Sequence, residues 1–137
     1  MGVSRRSVIW ICNILALVIV LYWVAWYSHR SLVASTTGPV YINFEQAFPL
    51  ADGILVMFML LSARALAKVR PSALAYLLLA AGGGLYLAGM DVLFDIEHKI
   101  WWKGTNGLVE LVMNVATLVA SVGLGRWAWH RRIEIGR

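Results

Sequence analysis

The chain has 137 residues, of which 61% are hydrophobic and only 14% charged. Soluble domains run at roughly 45–50% apolar and about 25% charged. Nineteen charged side chains, 12 basic and 7 acidic, cannot cover a water-soluble globule of this size. Disorder is excluded as well, because it needs low hydrophobicity and high net charge. The mean hydropathy of +0.73 completes the case for a small integral membrane protein in a single domain, residues 1–137. The net charge of +5 does not mark a nucleic-acid binder, because the basic residues sit at the ends of apolar runs and form no stripe.

Spanning a bilayer as helix takes roughly 20 mostly apolar residues, and four segments meet that length. The expected fold is all-α, a bundle of four transmembrane helices. The first span covers about 8–26. Arg5 and Arg6 precede it as they would a cleavable signal, but the apolar run exceeds the roughly 7–15 residues of a signal h-region and no small-x-small site follows, so a retained helix is expected. Cys12 lies inside this run, with no cysteine partner for a disulfide or a thiol-metal motif.

A long connection follows, about Ser28 to Gln46, containing Ser-Thr-Thr-Gly-Pro at 35–39. Connections of this length are often functional, so it is a candidate cover for one mouth of the bundle. The second span, about 48–67, opens with Pro49, which suits a first helical turn because its missing N–H would be unpaired there. The third, about 72–95, begins after Pro71 and contains Gly82-Gly83-Gly84. No lysine of a phosphate loop follows, so this run is expected to allow close packing or a kink. The fourth covers about 107–127. Strands are excluded because no segment alternates polar and apolar residues.

Charge gives an orientation. With the N-terminus inside, the inner side carries Arg5, Arg6, Arg64, Lys68, Arg70, Arg126, Arg131, Arg132 and Arg137, and the outer side only Arg30, Lys99 and Lys103. Lys and Arg are enriched on the cytoplasmic side, so both termini are expected there. Aromatic residues sit near both boundaries, with Trp23, Trp26, Tyr27, Trp101 and Trp102 outside, as an interfacial belt would have them.

The acids are more informative. Glu45, Asp52, Asp91, Asp95, Glu97 and Glu110 fall on the outer side or in the outer half of a helix, and only Glu134 falls inside. At about 100° per residue, Gly84, Ala88, Asp91, Asp95 and His98 share one face of the third helix. Asn106, Glu110, Asn114, Thr117 and Ser121 share a face of the fourth. A charge facing lipid at the membrane centre costs at least about 2.5–3.5 kcal/mol, so such groups turn toward the bundle interior or a wet cavity. The predicted ligand- or ion-binding site is therefore Asp52, Asp91, Asp95, Glu110 and Asn114 around an outward-opening pocket. Glu45 would share the face of Asp52 only if that helix began before Pro49, and is left out.

Three chemistries compete for such a pocket. The oxygens of Asp91, Asp95 and Glu110 would suit a divalent cation, and His98 would shift the preference to a transition metal, although Lys99 and Lys103 oppose a cation. A carboxylate could instead be the counter-ion of a proton or cationic ligand, and the third chemistry is that of a lipid-facing enzyme. Apart from all three, the groups could serve only as interhelical hydrogen-bond partners. The motif of phospholipid synthases that use CDP-alcohols fails, because Pro49, Val56 and Met57 stand where it needs Asp, Ala and Arg. No nucleophilic triad, HExxH motif or paired intramembrane histidines occur, so no catalytic residue and no cofactor are expected.

The stretches Phe44-Glu-Gln-Ala-Phe-Pro-Leu-Ala-Asp52 and Met90-Asp-Val-Leu-Phe-Asp-Ile-Glu-His98, followed by Glu110, resemble small bacterial four-helix integral membrane proteins to which no activity is assigned. The resemblance implies a bacterial inner-membrane setting and four spans, and no chemistry. The functional expectation is a protein that binds or transports a cation or a small polar or cationic ligand. The alternative is a non-catalytic accessory subunit of a larger membrane complex. Four short helices enclose little volume, which favours a homo-oligomer or such a complex as the working form. The lipid bilayer itself is the one partner that the composition demands.

Overall fold

The computed structural model describes residues 3–135. It is 86% helical, with no strands among the described residues. Four long helices carry the architecture: α1 (Arg5–Ser28), α3 (Pro49–Ala67), α4 (Ser72–His98) and α5 (Gly104–His130), with a short α2 (Pro39–Glu45) before α3 and a terminal turn α6 (Arg132–Ile135). The four long elements are long and apolar enough to cross a membrane, as a multi-pass membrane protein requires. α1 and α5 run past the predicted spans at both ends, α4 starts at the predicted Ser72 and runs on to His98, and α3 starts at Pro49.

Local chemistry explains the boundaries. Ser4 caps α1, its Oγ accepting from the Ser7 N–H at 3.1 Å, which satisfies one of the free donors of a helix start. Pro39 and Pro49 open α2 and α3, where a proline N–H is not missed. At the end of α3 the Arg70 N–H donates to the Ala65 carbonyl (2.9 Å) and the Val69 N–H to that of Leu66 (3.2 Å), while Val69 takes φ 53°. This is a Schellman closure with a left-handed residue after the helix. Pro71 follows, and the chain reverses directly into α4. Lys99, also left-handed at φ 54°, ends α4 in the same region of backbone space and leads into a 3-10 turn, Ile100–Trp102.

The helices pack in chain order, α1 on α3, α3 on α4 and α4 on α5. The row curls, but α1 and α5 do not pack extensively on one another. Their seam is bridged only near its ends. At the end that holds the chain termini, the Trp127 Nε1–H donates to the Val3 carbonyl at 2.9 Å. At the other end, the Asn106 side chain of α5 donates to the Ala34 carbonyl at 2.9 Å. A main core of Val8, Cys12, Leu55, Met59, Leu66 and Leu77 lies toward the termini and mid-bundle. A second, aromatic core of Trp26, Tyr41, Phe94 and Ile100 closes the opposite end, where Phe44 stacks on Phe94 with ring centroids 3.8 Å apart. Large apolar side chains such as Leu17, Leu60, Leu79 and Val119 point outward, a surface that suits lipid and not water.

The Gly82-Gly83-Gly84 run leaves α4 uninterrupted. Its use is close approach: a Cβ on Gly84 would collide with the Ser121 hydroxyl of α5. Small residues at a helix interface let backbones come together in a membrane, where no hydrophobic force does it for them.

Candidate functional site

The predicted polar faces meet at the end of the bundle away from the chain termini. Between the helices lies a cavity of about 220 Å³, room for about seven waters at roughly 30 Å³ each. Asp52 of α3, Asp91 of α4, and Glu110 and Asn114 of α5 line it. So does Glu45, which the sequence reading left out. A short helix before Pro49 delivers it: α2 ends at Glu45, a tight turn follows, and the side chain is buried against α1.

Three of the four acids on the wall are held by a donor from another element. The Tyr22 hydroxyl donates to Glu45 Oε2 at 3.1 Å. The Trp23 Nε1–H donates to Asp52 Oδ2 at 2.8 Å. Glu110 Oε2 accepts from the Ser35 hydroxyl and from the Tyr41 hydroxyl at 3.3 Å, which ties the α1–α2 connection and α2 across to α5. Leu32 and Val33 of that connection also line the cavity, so this segment sits over its mouth. Asp91 is the exception, accepting no hydrogen bond from any side chain among the described residues.

Asp95 plays a different part from the other four predicted residues. It does not line the cavity but lies behind it, 0% exposed. Its Oδ2 accepts from the Asn114 amide (2.7 Å) and the Trp101 indole (2.8 Å). Oδ1 has no partner. One carboxyl thus joins α4, the 3-10 turn and α5.

The metal candidates Asp91, Asp95, His98 and Glu110 do not form a ligand set. Among the described residues no three His, Cys, Asp or Glu side chains are grouped to hold a metal ion. His98 is exposed on the far side of Phe94, stacked on its ring at 4.0 Å with Nδ1 against the Phe94 carbonyl at 3.0 Å.

The belt aromatics divide in a way that composition does not reveal. Trp23 donates to the half-buried Asp52 carboxyl and Trp101 to the buried Asp95 carboxyl, and Trp26 is enclosed in the second core, whereas Tyr27 and Trp102 face outward. Asn106, Thr117 and Ser121 of the α5 stripe are used structurally: Asn106 holds Ala34, the Thr117 hydroxyl donates to the Met113 carbonyl at 2.8 Å, and Ser121 is packed against Gly84.

Electrostatically the cavity is one-sided. The titratable side chains on its wall are four carboxyls and the Tyr22 phenol, and no Lys, Arg or His lines it. Among the described residues the one salt bridge is Arg131–Glu134 at the opposite end. Of the three basic residues at this end, Arg30 lies on the Trp26 ring at 5.1 Å, and Lys99 and Lys103 are exposed on either side of the 3-10 turn. Comparison with protein-family models, curated proteins and solved structures finds no match to this chain, so the reading of the site rests on its own chemistry.

Proposed function

We propose that the chain is a multi-pass protein of a bacterial inner membrane that binds a cation or small cationic ligand in this acidic cavity, in a transport-related role. The observation that carries the reading is a cavity between the helices with four carboxyls on its wall, Glu45 buried and Asp52, Asp91 and Glu110 half-buried, and no basic side chain. Carboxyls away from water are costly unless paired, and tyrosine, tryptophan and serine donors supply hydrogen bonds but no compensating charge. A cationic occupant supplies it. Glu45, Asp52, Asp91 and Glu110 are the proposed counter-ions, with Asn114 and Asp95 bracing the α5 wall. The excess of Lys and Arg at the other end, nine against three, supports cytoplasmic termini and a cavity that faces outward. Of the nine, Arg137 lies outside the described residues.

The test is ligand-dependent thermal stabilisation of the purified protein in detergent, at constant ionic strength, across Na⁺, Mg²⁺, methylammonium and choline chlorides. A ligand at 100 times its Kd stabilises by about 2.7 kcal/mol, a rise of several degrees for a chain of this size. At least one cation is expected to give such a rise, and Asp91→Asn with Glu110→Gln is expected to abolish it. A doubly substituted protein that shifts as the wild type does, or a wild type that responds to none of the panel, overturns the proposal.

A further inference from the structure

Along its length the cavity changes character, and this bears on what kind of cation it takes. The acids occupy only the end under the α1–α2 connection. Deeper in the bundle the wall is mainly Leu15, Leu55, Met59, Ala120 and Leu124, with Thr117 and Ser121 its only hydroxyls among the described residues, and the Thr117 hydroxyl already donates to the Met113 carbonyl. The cavity also reaches the seam that α1 and α5 leave unpacked. Val18 on the α1 side and Met113 on the α5 side both line it, yet they are 47% and 36% exposed. Both ends of that seam are bridged, by Trp127 to Val3 and by Asn106 to Ala34, so the opening lies between them, along the helix stretches apolar enough to cross a membrane. The acids are also short of donors. Behind the wall Asp95 is fully buried with Oδ1 unpartnered, while Asp91 faces the cavity with no side-chain donor.

From these observations we infer that the occupant is a membrane-borne amphiphile. A single alkylammonium head sits among Glu45, Asp52, Asp91 and Glu110, and its chain lies along the apolar wall and leaves through the α1–α5 seam into the bilayer. This inference rests on the cation-binding reading above and narrows it to one ligand class. Charge complementarity selects the ammonium head, since every titratable group on the wall is acidic. The volume limits what is enclosed: about 220 Å³ takes the head and the first part of a chain, and the rest stays in lipid. Lipid tails are as apolar as the cavity wall, so the chain confers access and orientation, and the carboxyls confer the selection.

The test uses the full chain in phosphatidylcholine nanodiscs with an octadecylamine that carries a diazirine on its chain. After photolysis, labelled residues are mapped by mass spectrometry. Labelling is expected on the α1 and α5 residues that flank the seam. A tenfold excess of octadecylamine should reduce it about tenfold by mass action, whereas octadecanol, with the same chain and a neutral head, should not. Val18→Trp, a substitution on a half-exposed surface that fills the seam, should abolish labelling and leave stabilisation by methylammonium intact. Equal competition by octadecanol, or labelling unaffected by Val18→Trp, means ordinary lipid contact and overturns the inference. Absence of seam labelling in a protein that methylammonium still stabilises overturns the inference alone. A protein that shows no seam labelling and is stabilised by no cation of the panel overturns both readings.

Discussion

Asn114→Leu is expected to destabilise the protein by about 2 kcal/mol, more than an interhelical hydrogen bond usually contributes in a membrane. Such bonds average about 0.6 kcal/mol, because the separated helices find other partners. Asn114 differs in what it leaves behind. Its amide is one of two donors to Asp95 Oδ2, and the carboxyl is fully buried with its other oxygen already unpartnered. Bonds to charged groups contribute about 1.5–3 kcal/mol, and removing one partner leaves the other to bear its desolvation. A double-mutant cycle separates this cause from loss of packing. In an Asp95→Leu background the acceptor is gone, so Asn114→Leu should cost at least about 1 kcal/mol less. Unfolding free energies in mixed micelles provide the readout. Additive costs, or a single cost near 0.6 kcal/mol, would show that Asp95 is not braced by Asn114.

The second large effect is steric. Gly107→Ala is expected to destabilise by about 1–3 kcal/mol, the usual range for overpacking a filled site, even though alanine gains about 1 kcal/mol of helix propensity over glycine. A Cβ at Gly107 would collide with the Ile100 carbonyl oxygen and come within 3.2 Å of the Trp101 Cα. These are backbone atoms that cannot rotate aside, and the turn that carries them is anchored through the Trp101 indole to Asp95. Gly123, on the same helix, has nothing within 4 Å of its would-be Cβ, so Gly123→Ala should be neutral or stabilising. If the two alanine variants unfold at the same denaturant concentration, the turn is not packed on α5 as described.

Both predictions concern the junction of α4, the 3-10 turn and α5, and that junction marks where sequence reasoning stopped. The four long helices were readable because apolar runs of that length have one structural outcome in a bilayer. That Asp52, Asp91, Glu110 and Asn114 approach one cavity was readable too, since helical spacing places Asp91 with Gly84 and Glu110 with Ser121 on faces that must turn inward. Asp95 shares that face, but one further turn along α4 puts it behind the wall instead of on it. Spacing along a helix gives direction around the axis, not the depth at which a cavity closes.

Glu45 was missed for another reason. Pro49 reads as a helix start, which hides the short helix before it, and a seven-residue helix is too brief for a periodic signal. The one available signal was Pro39 after Gly38, an opening for a separate helix. Trp23, Tyr22 and Trp101 could not be told from interfacial anchors, because an indole or phenol at that depth has the same composition whether its polar atom meets water or a buried carboxyl.

The central claim is that the four carboxyls on the cavity wall hold a cation. The most direct measurement is equilibrium binding of radiolabelled methylamine to the protein in nanodiscs, for the wild type and for Asp91→Asn with Glu110→Gln. The account predicts saturable binding of one methylammonium per chain, displaced by unlabelled methylamine and weakened at least about tenfold in the double variant, a loss of about 1.4 kcal/mol or more. Absence of saturable binding, or equal affinity in the two proteins, would contradict it.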